Sequence, residues 1–358
     1  MLILAIDLGK AKSVFCWYDP CDQAHSFKTV ASSPTAFAEA LAARAVDRVV
    51  IEVCDMAGWV VDLCRQQARP VEVQVADVNA EGWRWRHVRN KTDRRDALKL
   101  ARLSAAGDLE LVRLPGHAVR QWRSLILYRH KLVGRRTAVK NAIHAVLVRE
   151  GRPMGSGRSA WSAAAREALD ELSAPLADCP ADELWRGHLR SELDALDEVE
   201  QRIAAVEARL DALGAADARV VRLRTIPGVG PRLGELVVAV LDDPRRFANA
   251  RQVGAYAGLV PRRYQSGETD RSGRIDRAGC AALRKLLVEV AWGMLRYNAR
   301  GRAVFDRVSR GSRTRRKQAV VALARRTLCW CWAMLRDHTD WRDPAPAPGA
   351  LPGALRTT

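Results

Sequence analysis

The period of apolar and polar positions changes along this chain. In the first hundred residues the apolar runs are short, and LILAID, SVFCWYD and HSFKTV read as three strands joined by turn-like residues. SPTAFAEALAAR then has a Ser-Pro start and helical spacing, and VDRVVIEV returns to strand character. A helix over Ala57 to Gln67 follows, PVEVQV is a fifth strand, and the next helix contains RNKTDRRDALKLAR. Three strands, helix, strand, helix, strand, helix predicts an α/β unit with one mixed sheet and covering helices.

Beyond residue 110 the period becomes helical. Ala118 to Arg149 has Trp122, Leu125, Leu132 and Ile143 at helical spacing, and GRPMGSGRS breaks the pattern. From Leu184 to Leu213, Leu189, Leu193, Leu196, Val199, Ile203, Val206 and Leu210 recur every three or four residues. That spacing fits a coiled coil or a long bundle helix, and an intrachain bundle competes with a dimer seam. Further on, PGVGP connects two helices in the manner of a helix-hairpin-helix, so that Gly228 and Gly230 either present backbone amides to a phosphate or only permit a tight turn. The Gly-rich, charged stretch around Gln265 to Arg274 reads as an exposed loop. A buried helix and then RGSRTRRKQAVVALARRTLCWCWAMLRD follow, with Trp330, Trp332 and Met334 as core or subunit-contact residues. The expected divisions are 1–110 (α/β), 111–219 (helical, coiled-coil-like), 220–338 (mainly helical) and 339–358 (a disordered tail).

Charge narrows the partner class. The 358 residues include 59 Lys and Arg against 41 Asp and Glu, a formal charge of +18, which favours a polyanion: nucleic acid or an anionic membrane surface. No apolar stretch approaches the ~20 residues needed to span a bilayer, and MLILAIDLGK does not resemble a secretory signal. The eight cysteines lack paired CxxC spacing, so structural zinc is not expected and reduced cytoplasmic thiols are.

Four acids stand out against this basic background. Asp93 and Asp96, three apart on a helix, share a face, although Thr92 as cap with Asp93 in the first turn is the plainer reading. Asp7 and Glu52 sit at C-terminal strand ends, where polar functional groups gather, although each could also be a solvent-facing terminus or a helix cap. Four crowded carboxylates repel unless a divalent cation neutralises them, and Mg²⁺ or Mn²⁺ suits oxygen donors. Flanking Arg84, Arg86, Arg89, Lys91, Arg94 and Arg95 would hold a nucleic-acid backbone. Later in the chain, Ser266 is either a turn serine or a nucleophile, with Arg262, Arg263, Arg271 and Arg274 as local cations and Arg313, Arg315, Arg316 and Lys317 as a further basic cluster.

LAIDLGKAKSVFCWYD, VVIEVC and RNKTDRRDALKLAR, in that order, resemble the DEDD motifs of the RuvC-like domain in the "one-ten" family of bacterial insertion-sequence transposases. TIPGVGP, RRFANARQVGAYAGLVPRRYQSG, SGRIDRAG and LRKLLVEVAW resemble the same family's C-terminal domain. The resemblance runs from Asp7 to about Leu335, and it departs at Glu268, where the family more often has a second glycine. It implies a ribonuclease H fold, magnesium held by Asp7, Glu52, Asp93 and Asp96, and Ser266 as the nucleophile of a covalent protein–DNA linkage. It further implies donor and target duplex DNA, a structured bridge RNA as guide, a homo-oligomer passing from dimer to tetramer on DNA, and a cytoplasmic, nucleoid-associated location without membrane contact. Two other readings stay open: a metal-dependent structure-specific nuclease using water, with Ser266 structural, and a catalytically inactive nucleic-acid-binding or assembly protein.

Overall fold

A computed structural model describes residues 1–77, 92–155, 157, 159–267, 269–277 and 279–342. Arg84, Arg86, Arg89, Lys91, Glu268 and the tail beyond 342 lie outside the described residues. The chain divides into two compact units, Met1–Arg120 and Gln121–Thr358.

The first unit is a five-stranded mixed sheet with helices on both faces. Its elements are β1 (Ile3–Asp7), β2 (Lys12–Tyr18), β3 (His25–Ala31), α1 (Pro34–Ala43), β4 (Arg48–Glu52), α2 (Ala57–Arg65), β5 (Glu72–Ala76) and α3 (Asp93–Ala106), followed by the first turn of α4 (His117–Arg149). Strand order is β3-β2-β1-β4-β5, with β1, β2 and β3 antiparallel in turn and β1, β4 and β5 parallel. This is a ribonuclease H-type topology.

Strand alternation divides the apolar residues between two cores. Leu4, Ile6, Phe15, Trp17, Val49 and Ile51 pack with Phe37 of α1 and Val60 of α2. Ile3, Ala5, Val14, Cys16 and Val50 pack on the opposite face against Ala97, Leu100 and Ala101 of α3. The β1–β2 turn depends on Gly9, since a Cβ there would lie 2.2 Å from the Lys12 carbonyl oxygen.

The second unit contains the rest of α4, α5 (Ala163–Leu172), α6 (Leu184–Ala216), α7 (Ala218–Leu223), α8 (Pro231–Leu241) and α9 (Ala250–Tyr256). A hairpin of β6 (Pro261–Ser266) and β7 (Thr269–Ile275) follows, then α10 (Ala281–Tyr297), α11 (Ala299–Ser309) and α12 (Arg316–Asp337). The repeating leucines of α6 find their partner within the chain. Leu189, Leu193 and Leu196 pack with Ile143, Val146 and Leu147 of α4, while Val199 and Ile203 meet Leu132. Arg129 pairs with Glu207 and Lys140 with Glu200, so the two helices run antiparallel. The three-and-four spacing is therefore the seam of an intrachain helical hairpin.

Leu193→Ala in this seam is expected to lower unfolding stability by about 2–5 kcal/mol, the usual loss for a buried leucine truncated in a packed core. Denaturant unfolding checks it, and a loss below about 0.5 kcal/mol would mean that the seam is not packed within the chain.

The sequence expectation for Gln265 to Arg274 is corrected. This stretch is an antiparallel hairpin, with Ser266 paired to Thr269 and Gly267 at φ 54° in the turn. All six residues of β6 are exposed, so no buried face stamps a two-residue alternation on the sequence. Trp332 and Met334 are buried in the core of the second unit as expected, and Trp330 packs against that core.

Candidate active site and nucleic-acid interface

Strand parity sets the directions of the first acids. Asp7 shares the β1 face of Ile3 and Ala5, and Glu52 shares the β4 face of Val50, so both look toward the side covered by α3. β1 and β4 are paired up to Ile6 and Ile51. One residue further along, Asp7 and Glu52 fall side by side at neighbouring strand ends, with strands about 4.8 Å apart.

The helix supplies the next acid at the same level. Arg48 Nη1, at the start of β4, donates to the Ser104 carbonyl near the end of α3 at 3.0 Å, and Ser104 Oγ donates to Gln74 Oε1 at 2.7 Å. These bonds anchor the end of α3 over the beginning of β4 and the middle of β5, so α3 runs opposite to β4. Four strand residues from Arg48 to Glu52 advance about 13 Å, and eight helical residues from Ser104 back to Asp96 advance about 12 Å. Asp96 therefore comes level with Glu52.

Asp96 is buried and lies one turn before Leu100 on the sheet-facing stripe. Asp93 is exposed in the first turn, and Thr92 Oγ1 caps the helix by accepting the Arg95 backbone N–H. The cap reading holds, while Asp93 is exposed and Asp96 is buried against the sheet.

Lys99 completes the local electrostatics. Burial lowers the pKa of its ammonium, and the carboxylates of Asp96 and Glu52 act on it in the opposite direction. Lys99 is thus a cation whose charge is felt by both acids. Lys99 was not singled out from sequence, because one more cation in a basic helix carries no distinguishing signal.

The donor set is all carboxylate oxygen, which suits a hard divalent cation. Among the described residues, however, no group of three or more His, Cys, Asp and Glu side chains closes into a metal-holding set. Asp7, Glu52 and Asp96 stand at the C-terminal end of the interior strands β1 and β4 without enclosing an ion.

Ser266 lies in the second unit, at the exposed end of β6. Around it, Arg263 pairs with Asp270 (Nε to Oδ1, 2.8 Å) and holds that carboxyl below its ordinary pKa. Arg262 pairs with Asp276 at 3.1 Å, and Arg271 lies 5.8 Å from the centroid of the Tyr264 ring. Two of the four arginines expected to serve as cations therefore already have carboxylate partners, whereas Arg274 is exposed.

In the turn before α8, Gly228 adopts φ 94°, and a Cβ there would press on Met294 Cγ at 2.9 Å. Gly230 is the N-cap of α8, with Pro231 in the first turn. This is a tight glycine connection between helices α7 and α8. Elsewhere, Arg94 and Arg95 are exposed, Arg94 lying 5.7 Å from the Phe27 ring. Arg313, Arg315, Arg316 and Lys317 are exposed around the start of α12.

Comparison with known proteins adds the family. Residues 4–150 match the DEDD_Tnp_IS110 transposase model, and residues 220–306 match the model of the transposase IS116/IS110/IS902 family. A Pseudomonas aeruginosa protein named "Probable family 20 transposase" is 32% identical over 256 residues, covering 71% of this chain and 74% of that relative. The chain belongs to the IS116/IS110/IS902 transposase family. The transposase for insertion sequence element IS1111A of Coxiella burnetii is 30% identical over 262 residues, covering 71% of this chain and 69% of that protein. As a member of this transposase family, the chain cleaves DNA and transfers strands. The first family match spans all four acids, and the second spans Ser266.

Proposed function

We propose that this transposase cleaves and rejoins DNA by transesterification through Ser266, with Asp7, Glu52, Asp93 and Asp96 as the metal-holding set and a structured bridge RNA selecting donor and target. The observation that carries the reading is the levelling of Asp96 with Glu52 beside Asp7, on the α3 side of the sheet.

In this scheme Ser266 Oγ attacks a backbone phosphorus. A Ser–O–P bond forms as one strand P–O bond breaks, so the number of phosphoesters is conserved and no high-energy cofactor is consumed. Mg²⁺, or Mn²⁺, bound by the four acids would supply charge stabilisation for the phosphoryl oxygens. Lys99 keeps Glu52 and Asp96 from full mutual repulsion. Arg94 and Arg95 beside the acids, and Arg313, Arg315, Arg316 and Lys317 on α12, hold nucleic-acid backbone. Gly228 and Gly230 present the α8 N-terminus to a phosphate in the manner of a helix-hairpin-helix. The working form is a homo-oligomer, a dimer assembling to a tetramer on DNA, in the bacterial cytoplasm and nucleoid. Among the described residues no helix is long and apolar enough to cross a membrane.

Binding of the full chain to duplex DNA is expected to weaken steeply with salt. A protein that neutralises six to ten phosphates loses roughly 10³- to 10⁵-fold in affinity between 50 and 200 mM salt. Alanine at Arg313, Arg315 and Lys317 together should flatten the slope. The same titration with RNA transcribed from the DNA flanking the gene tests the guide, which should bind more tightly than an unrelated hairpin RNA. Weak, salt-independent binding to both would contradict the reading.

A further inference from the structure

One aromatic group in the second unit is not used by the core. The inward stripe of α10 is Leu283, Leu287, Ala291 and Met294, all buried. Trp292 and Tyr297 lie outside that stripe and are 41% and 69% exposed. Together with Gly293, Leu295, Arg296 and Arg316 they line an open cleft of about 420 Å³. That volume is within the ~300–1,000 Å³ of small-ligand sites.

The walls of the cleft stand on rigid elements. Arg302 Nε donates to the Leu295 carbonyl at 3.0 Å and Arg302 Nη2 to the Arg296 carbonyl at 3.3 Å, tying down the end of α10. Asn298, 1% exposed, caps α11 by accepting the Gly301 N–H at 2.8 Å. Trp292 leans on Phe305, with ring centroids 6.4 Å apart, and Arg316 lies 5.9 Å from the Trp292 ring centroid. The indole thus has a tilted neighbouring ring and a nearby guanidinium while it stays 41% exposed.

The surroundings select an anionic occupant. From Arg296 to Lys317 the sequence has nine arginines and lysines and one acid, Asp306. The first turn of α12, which begins at Arg316 and has no side-chain cap, adds the positive end of the helix dipole. A duplex needs only the cations, because its bases are stacked inside. Exposed flat rings within a cationic groove fit a strand whose bases are free, since ring-on-base stacking is independent of sequence.

We infer that the Trp292–Tyr297 cleft is a stacking site for an unpaired base of single-stranded DNA, with Arg296 and Arg316 on the adjoining phosphates. The inference rests on the reading of the chain as a DNA strand-transfer protein, whose reaction itself separates and exchanges strands.

The test measures binding of the full chain, without turnover, to short oligothymidylate, its duplex, oligouridylate and phosphatidylserine–phosphatidylcholine vesicles. Trp292→Ala and Tyr297→Ala are each expected to weaken oligothymidylate binding roughly 5- to 100-fold, from the usual effect of removing one stacking ring. Duplex binding should change much less, and Trp292→Phe should recover most of the loss. Circular dichroism of each variant checks folding, and photo-crosslinking with 5-iododeoxyuridine should label the peptide containing Trp292 and Tyr297. Unchanged oligothymidylate affinity in folded Trp292→Ala would overturn the inference. So would tighter, Trp292-dependent binding of oligouridylate, or loss of vesicle binding alone. Because no strand transfer is measured, failure of that activity in the wild type would count against the proposed function and leave the cleft result readable.

Discussion

Asp7→Asn, Glu52→Gln and Asp96→Asn are each expected to lower strand transfer by about 10²-fold or more while DNA binding persists. Asp7 and Glu52 end adjacent parallel strands in the interior of the sheet, and Asp96 comes level with them from α3. Each replacement is close to isosteric and removes one negative charge, so packing against Leu100 and Val50 should survive. A second readout has a definite sign. Added Mg²⁺ should raise the melting temperature of the wild type, because a ligand that binds only the folded state stabilises it by RT ln(1 + [L]/Kd). In chelator each variant loses repulsion among the acids and, at Glu52 and Asp96, attraction to Lys99, so its own metal-free melting temperature is the reference for its Mg²⁺ shift. Magnesium should then give them little or no increase. Equal Mg²⁺ shifts in wild type and all three variants would remove the metal from these strand ends.

Ser266→Ala is expected to reduce DNA strand transfer by about 10³-fold or more, the scale of loss when a covalent nucleophile is deleted. Stability should barely move, because the side chain is exposed at a hairpin end and such surface replacements usually stay within about 0.5 kcal/mol. Loss of activity could therefore not be assigned to unfolding. Arg263 pairs with Asp270, and Arg262 with Asp276, on the same hairpin. The strands stay in register around Ser266 when its hydroxyl is removed. Unimpaired transfer by this variant would favour a metal-activated water as attacking group and leave Ser266 a turn residue.

The first unit was largely legible because burial on two faces writes a strong pattern. Leu4 and Ile6 face one core while Ile3 and Ala5 face the other, giving a continuous apolar strand that ends at a charged residue. Asp7 and Glu52 were noticeable as strand-end acids for that reason. The level at which Asp96 stands was not legible, because it depends on how far α3 reaches along the sheet, which the Arg48–Ser104 bond sets across 56 positions. Lys99 was hidden by its many basic neighbours. The α6 seam could be read as apolar, but spacing alone does not name its partner, and Leu132 and Ile143 of α4 fill it. The hairpin around Ser266 gave no strand signal because neither face of β6 is buried. The exposure of Trp292 and Tyr297 likewise could not be told from that of any other helical aromatic until the buried stripe of α10 was located.

The measurement that tests the central claim most directly is mapping of a covalent protein–DNA adduct, formed by the full chain with its RNA, element DNA and Mg²⁺, then denatured and digested. The account predicts a nucleotide adduct on the peptide containing Ser266, absent from Ser266→Ala although that variant still binds DNA. An adduct on another residue, or wild-type strand transfer by Ser266→Ala with no adduct at all, would contradict it.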